Sequence, residues 1–242
     1  MKKPIVIEGA MECEVRELIA ALEAKEERDY YGFPLVSGTV DGWPVIVVRT
    51  RIGMINASML TALLIRDFAP LCVISQGTAG GHYLTAEVGS ILVAEELVNM
   101  NGFLMSLEDC RALTELSGGE WRDGERCRSD RRLVAIAEAT PYPYGRLICG
   151  SLGSADFWMH GSDNIVQLRR RYPAVCEDME SFAVAAVCEK LGVPSLTLRA
   201  VSNNELTGED FDPQVGVHCQ EYVIAVVRNV IKNAEFGMRN AE

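Results

Sequence analysis

Leu71-Cys72-Val73-Ile74-Ser75-Gln76-Gly77-Thr78-Ala79-Gly80-Gly81 is the stretch whose reading decides the fold. The apolar run to Ser75 reads as a short buried strand, and the glycines after it as a turn at its carboxyl end. A run that is apolar without alternation is covered on both faces, as in a sheet between helical layers. Working outward, the spacing from Asn56 to Phe68 predicts a helix, and Ser90 to Ala94 a second strand. Ile5 to Ile7 reads as another buried strand. Val15, Leu18, Ile19 and Leu22 then fall at helical spacing. Trp43 to Val48 is a strand after the turn-forming Asp41-Gly42, and Arg146 to Gly150 and Ser195 to Val201 are strands too. Ser129 can cap a helix through about Ala139, and Ser162 or Asp163 the next, which carries Ile165, Val166 and Leu168. Asp178 can cap a helix from Met179 to Leu191 that Gly192 ends. A last helix runs from about Val217 to Ala234. Residues 99–128, with Gly118-Gly119, read as loop with a short helix. This alternation predicts a three-layer α/β sandwich, and with no linker or repeat, one domain over residues 1–242.

Composition narrows the function. The chain has 242 residues, 48% hydrophobic and 24% charged, enough for a sizeable core. A formal net charge of −11 repels nucleic acid and anionic lipid, so neither is an expected partner. The one dense basic run, Arg169-Arg170-Arg171, falls where a helix ends and offsets its dipole. Eight cysteines (Cys13, Cys72, Cys110, Cys127, Cys149, Cys176, Cys188 and Cys219) are scattered without a paired-ligand pattern. Zinc sites need that pairing, so no metal is expected. The first apolar run is too short for a signal peptide, and no run reaches the length of a membrane span. The expected location is the cytoplasm, with reduced thiols.

In open α/β sheets ligands bind beyond the carboxyl ends of the strands. Four segments have that placement. Gly9-Ala10-Met11-Glu12-Cys13-Glu14-Val15 brings two carboxylates to a helix start, where acids also serve the helix dipole. Ser75 to Gly81 gives a backbone that a ligand can approach closely, but not a Walker loop. Glu177-Asp178-Met179-Glu180-Ser181 reads equally as capping. Arg199-Ala200-Val201-Ser202-Asn203-Asn204 places a cation near the end of a buried strand, where it needs a partner.

Each piece alone is ordinary; their order is not. Gly9-Ala10-Met11-x-x-Glu14-Val15, Gly53-x-x-Asn56-Ala57, Gly77-Thr78-Ala79-Gly80-Gly81, Asp178-Met179-Glu180 and Arg199-Ala200-Val201-Ser202 span nearly the whole chain. Together they resemble the successive motifs of the 5′-methylthioadenosine/S-adenosylhomocysteine nucleosidases, in the purine nucleoside phosphorylase/uridine phosphorylase superfamily. The resemblance implies a central mixed, twisted sheet flanked by helices, and cleavage of a purine nucleoside without metal or organic cofactor. It implies that Glu14 positions and deprotonates water, that Glu180 takes the ribose hydroxyls and that Met179 packs on the ribose. Thr78, where the family has serine, and Arg199 would line the nucleophile side. Met11, Ala79, Gly80 and Ser202 would complete the substrate pocket. Phe157 would stack on the purine, and Trp158, in place of a smaller aliphatic, would reshape the base pocket. Relatives are usually dimers or hexamers, so a homodimer or higher homo-oligomer is expected. The stretch Asn101 to Met105 would then close a neighbour's 5′ subsite, or simply pack in a core.

Asn203 is the departure. The family carries an aspartate there that protonates purine N7, and an amide cannot serve as that acid. Either the base is a 6-oxopurine, to which the asparagine NH₂ donates at N7 and O6, or adenine nucleosides bind and turn over slowly. Superfamily phosphorylases carry an arginine where this chain has Ser75, and an N-terminal Gly-Asp-Pro loop with an arginine where it has the Glu14 motif. Hydrolysis is therefore the expected route, with Arg49 and Arg51 left as a conceivable anion site for phosphorolysis. A nucleoside-binding protein without catalysis gains little from Glu14, Glu180 and Arg199 together. No G-x-S-x-G elbow is present, and His82, His160 and His218 stand in no triad context.

Overall fold

The computed structural model describes residues 2–239, with side chains through Ala234. In chain order the strands and α-helices are β1 (Ile5–Gly9), α1 (Glu12–Ala21), β2 (Glu23–Tyr30), β3 (Phe33–Val40), β4 (Trp43–Arg49), α2 (Met54–Phe68), β5 (Cys72–Gly81) and β6 (Ile91–Asn99). Then come α3 (Leu107–Leu116), β7 (Arg126–Arg128), α4 (Arg131–Glu138), β8 (Leu147–Ser154), α5 (Ser162–Arg171), β9 (Cys176–Asp178), α6 (Ser181–Leu191), β10 (Ser195–Asn203) and α7 (Gln214–Arg239).

Among the described residues, all ten strands join one mixed sheet. β1 lies parallel between β4 and β5, and β5 runs parallel to β10. β10 meets β6 antiparallel, β6 is parallel to β8, β8 is parallel to β9, and β9 returns antiparallel to β5. The strands β5, β10, β6, β8 and β9 therefore close on themselves, and β1, β4, β3 and β2 extend from that ring as an open sheet. Alternation along the strands makes two cores. Ile5, Ile7, Ile74 and Leu198 face α1, α4 and α7, while Val6, Val73 and Leu92 face α2 and α6. Helices thus cover both sides of a mixed sheet, as the sequence implied.

Several local expectations change. The glycine stretch is not a turn: β5 continues to Gly81, because β10 and β9 pair with it to the end. Four strands, β2, β3, β7 and β9, were not read from the sequence. β2 reads Glu-Ala-Lys-Glu-Glu-Arg-Asp-Tyr, and only Tyr30 in it is buried. It is an edge strand whose charges face water, so it carries no apolar alternation. Asp130, not Ser129, caps α4, accepting from Arg132 N and Leu133 N; Ser129 still belongs to the sheet connection, its N–H donating to Glu95. The cap of α5 is Gly161, with no side-chain bond, in place of Ser162 or Asp163. α6 begins at Ser181 rather than Met179, because pairing with β8 keeps the chain extended through Asp178. Asp178 still receives Ser181 N, and Gly192 ends the helix in the left-handed region, with φ +70°. Among the described residues no helix is long and apolar enough to cross a membrane.

Candidate active site

The carboxyl ends of β1, β5 and β10 meet at one place. Glu14 lies in the first turn of α1, just past the end of β1, and is 4% exposed. Its Oε2 accepts Ala10 N at 2.9 Å and Met11 N at 3.0 Å, capping its own helix. Its Oε1 accepts Thr78 N at 2.9 Å and Thr78 Oγ1 at 3.1 Å. The helix-capping reading and the site reading therefore fall on one side chain. A carboxylate offers about four lone-pair sites, and all four are taken. Of these donors only the Thr78 hydroxyl can swing away, which would free a lone pair of Glu14 on the Thr78 side. Gly77 permits the approach: a Cβ there would lie 2.6 Å from Glu14 Oε1.

Behind this pair sits a buried ion pair. Arg199, 3% exposed, donates from Nε to Asp178 Oδ2 at 2.8 Å, with Nη2 equally close to the same oxygen. Nη2 also reaches Ser75 Oγ, and Nη1 the carbonyl of Leu198, both at 3.1 Å. Burial works against the Arg199 charge; Asp178, Glu14 and Glu180 more than offset it and hold its pKa above the ordinary value. Asp178 further accepts from Ser154, Ser181 and the backbone at the start of α6. Glu180, 8% exposed, accepts Gly53 N at 2.9 Å, and Asp156 accepts Met54 N at 2.8 Å. Together they tie the start of α2 to the site. Burial, and then the neighbouring Asp178, push the Glu180 carboxyl pKa up. Gly53 has φ +103°, a backbone setting that favours glycine.

Asn203 closes the third side. It pairs across the sheet with Gly80, next to Ala79, which is buried. Ser202 Oγ lies 3.0 Å from Asn203 Oδ1 and 3.3 Å from Ala79 O; its one hydrogen goes to the nearer oxygen, which leaves the asparagine NH₂ as the group directed away from Ser202. Asn204 is fully buried and holds the loop after β5 by donating to Tyr83 O and Ala86 O at 2.9 Å. Glu205 accepts Gly161 N at 3.1 Å and so links this end of β10 to the segment 156–161.

The structure thus brings Glu14, Thr78, Arg199, Glu180, Ser202, Asn203, Ala79 and Gly80 into one cluster, with Met11 and Met179 half-buried at its edge. Phe157 is half-buried, with its ring 6.2 Å from that of Phe103. Trp158 departs from the expectation that it reshapes the pocket. It is 57% exposed and its ring lies on His160, 4.2 Å between centroids, so its indole does not narrow the site. Of the stretch Asn101 to Met105, Phe103 packs into a small core with Tyr172, while Leu104 is 74% exposed. Arg49 pairs with Glu12 at 3.3 Å, and Arg51 donates to Gly32 O at 2.7 Å; each guanidinium already has a partner. Sequence reasoning missed Asp178 as the counter-ion of Arg199, Asp156 and the buried His82 and Glu177. A signal existed only for Asp178, since a buried arginine requires an acid.

The phosphorylase superfamily model matches residues 4–232. A 5′-methylthioadenosine/S-adenosylhomocysteine nucleosidase of Geobacillus sp. (strain WCH70) is 30% identical over 236 residues, covering 94% of this chain and 99% of its own. One from Shewanella loihica is 31% identical over 235 residues, covering 93% and 99%. Among solved structures, the Neisseria meningitidis nucleosidase in complex with methylthio-immucillin-A has TM-score 0.81 at 26% identity, covering 93% of this chain and 98% of its own. Futalosine hydrolase of Helicobacter pylori shares the fold, with TM-score 0.79 at 24% identity over 93% and 97%.

Proposed function

Since this chain belongs to the phosphorylase superfamily, and within it to the 5′-methylthioadenosine/S-adenosylhomocysteine nucleosidases, we propose that it hydrolyses the N-glycosidic bond of a nucleoside with a 6-oxopurine base. It is an N-glycosyl hydrolase acting on purine nucleosides; the base preference is the finer reading. Cleavage builds positive charge on the ribose and negative charge on the departing base. Glu14 opposes the first charge, and Glu180, its carboxyl pKa pushed up by burial, holds the sugar by hydrogen bonds rather than by charge. A water entering beside Thr78 gives its proton to Glu14 and its oxygen to the ribose carbon. Glu180 has one oxygen engaged by Gly53 N and the other for the ribose hydroxyls. Arg199 is pinned by Asp178 and Ser75, so it acts through its field rather than as a mobile clamp.

The observation that carries the base preference is Asn203, with Ser202 Oγ against its Oδ1. Its NH₂ donates to N7 and O6 of a 6-oxopurine as negative charge grows on the base. An adenine amino group would meet a donor instead, and such unpaired polar contacts discriminate strongly. The test is Asn203→Asp. It is expected to lower kcat/KM for inosine and to raise it for methylthioadenosine by at least about tenfold. No gain on methylthioadenosine refutes the role given to Asn203.

Hydrolysis rather than phosphorolysis is supported by the acid at Glu14, since a carboxylate beside Thr78 repels phosphate and suits water. A second copy of the chain is the expected partner. Ile52, Ile55 and Met59, exposed together at and just before the start of α2, form an apolar strip of the kind a neighbour covers. Sedimentation at twice the chain mass checks this, and a monomer refutes it.

A further inference from the structure

One buried cluster beside the site has polar atoms without partners. His82 is fully buried, and neither ring nitrogen has a hydrogen-bond partner. Glu177 is 5% exposed, and its Oε2 has none either. The two side chains approach to 3.5 Å, Nε2 to Oε2, at the outer limit of a hydrogen bond. Buried polar groups left unpaired are costly, so such a cluster calls for a reason.

Its position supplies one. Gly80 pairs with Asn203 on one side and with Glu177 on the other. Paired residues across a sheet share a face, so both side chains rise on the same side of Gly80. A Cβ on Gly80 would meet Asn203 Nδ2 at 3.5 Å and Glu177 Cγ at 3.7 Å. Gly80 is thus the floor of a slot walled by an amide and a carboxylate. Neighbouring strands are about 4.8 Å apart, so the two walls spring from backbones roughly 10 Å apart and lean toward each other over Gly80. Over the same slot Met159 N donates to Glu177 Oε1 at 3.3 Å, bringing the Phe157 segment across it.

We propose that Glu177 reads the base edge opposite Asn203, its Oε1 accepting the N1–H of a 6-oxopurine; this rests on the reading of the site given above. Round a purine edge the order is N7, the 6-substituent, then N1. Asn203 donates to the first two positions and Glu177 accepts from the third. Oε1 keeps a lone pair beyond the one Met159 occupies. His82 is a positioning residue: it stands against Oε2 and turns Oε1 toward the slot. Adenine offers a lone pair at N1, which faces the carboxylate unfavourably.

The experiment is calorimetric binding of hypoxanthine, 1-methylhypoxanthine and adenine to the whole chain and to its Glu177→Gln and His82→Leu variants. Wild-type protein is expected to bind hypoxanthine about 10- to 100-fold more tightly than 1-methylhypoxanthine, the range for a hydrogen bond to a charged group. In Glu177→Gln, and to a lesser degree in His82→Leu, the hypoxanthine-to-adenine affinity ratio falls by about tenfold. The methyl comparison needs no mutation, so misfolding of a variant leaves it decisive. Equal binding of the two hypoxanthines, no hypoxanthine binding, or an unchanged ratio in Glu177→Gln overturns the proposal. Hydrolysis of inosine is scored separately. Inosine cleaved with equal binding of both hypoxanthines refutes only Glu177. Inosine untouched with the expected binding pattern refutes only the substrate reading.

Discussion

Replacing Glu14 by glutamine puts the centre of the site to a numerical test. The carboxylate accepts four hydrogen bonds, two from Ala10 N and Met11 N and two from Thr78. An amide has one accepting end. If its NH₂ faces Ala10 and Met11, two backbone donors lose their acceptor. If it faces Thr78, the hydroxyl can rotate to accept and only Thr78 N is stranded. The second orientation is cheaper and sets the cost. One stranded donor in a buried place costs about 1–3 kcal/mol, and the other two bonds lose their charge assistance. Glu14→Gln is therefore expected to lower unfolding stability by about 2–4 kcal/mol. Loss of the group that accepts the water proton is expected to lower kcat by about 10²–10⁴-fold. Urea unfolding measures the first and steady-state base release the second, with circular dichroism establishing that the assayed variant is folded. A folded variant with kcat within threefold of wild type refutes Glu14 as the base. Destabilisation below about 0.5 kcal/mol refutes the hydrogen-bond reasoning.

Two further outcomes follow from buried and exposed neighbours. Thr61 Oγ1 donates to Ala57 O at 2.7 Å and so has no hydrogen left for Glu8, whose oxygens lie 2.9 and 3.1 Å away; the Glu8 carboxyl supplies it. Burial pushes its pKa from 4.5 up to about 8. A carboxyl protonated in the fold and ionised when unfolded contributes stability that is full below the unfolded pKa and is lost as pH rises through the folded one. Urea titrations at pH 5 to 9 should therefore show Glu8→Gln gaining on wild type up to about pH 8, by at most about 4 kcal/mol; a constant gap contradicts this. Trp158→Ala is expected to change kcat/KM less than threefold, because the ring points to solvent, and a loss above tenfold in the same base-release assay would place the indole on the substrate.

The layering of the fold was legible because Ile5-Val6-Ile7 and Leu71 to Ser75 are apolar without interruption, and only a sheet covered on both sides buries such runs. The ring of strands was not, because its closure rests on β9, three residues long, whose Glu177 and Asp178 look like helix-cap chemistry. The same ambiguity hid Asp178. Sequence spacing shows an acid before a helix, while its pairing with Arg199 spans 21 residues and exists only once β9 and β10 are in place. The site was legible as motifs rather than as geometry. Glu14 and Thr78 are 64 residues apart, and no local rule joins them. Glu177 and His82 lay beyond reach because the sequence carries no signal that joins them; Gly80 brings Glu177 beside Asn203, as the residue whose missing side chain makes room for both.

The most direct test is the fate of the oxygen. Inosine is incubated with the protein in phosphate-free buffer made with ¹⁸O-labelled water, and the products are separated and weighed by mass spectrometry. Hypoxanthine appearing together with ribose that carries one ¹⁸O is the predicted result. Cleavage that requires phosphate and yields ribose 1-phosphate, or release of base from adenine nucleosides alone, contradicts the account.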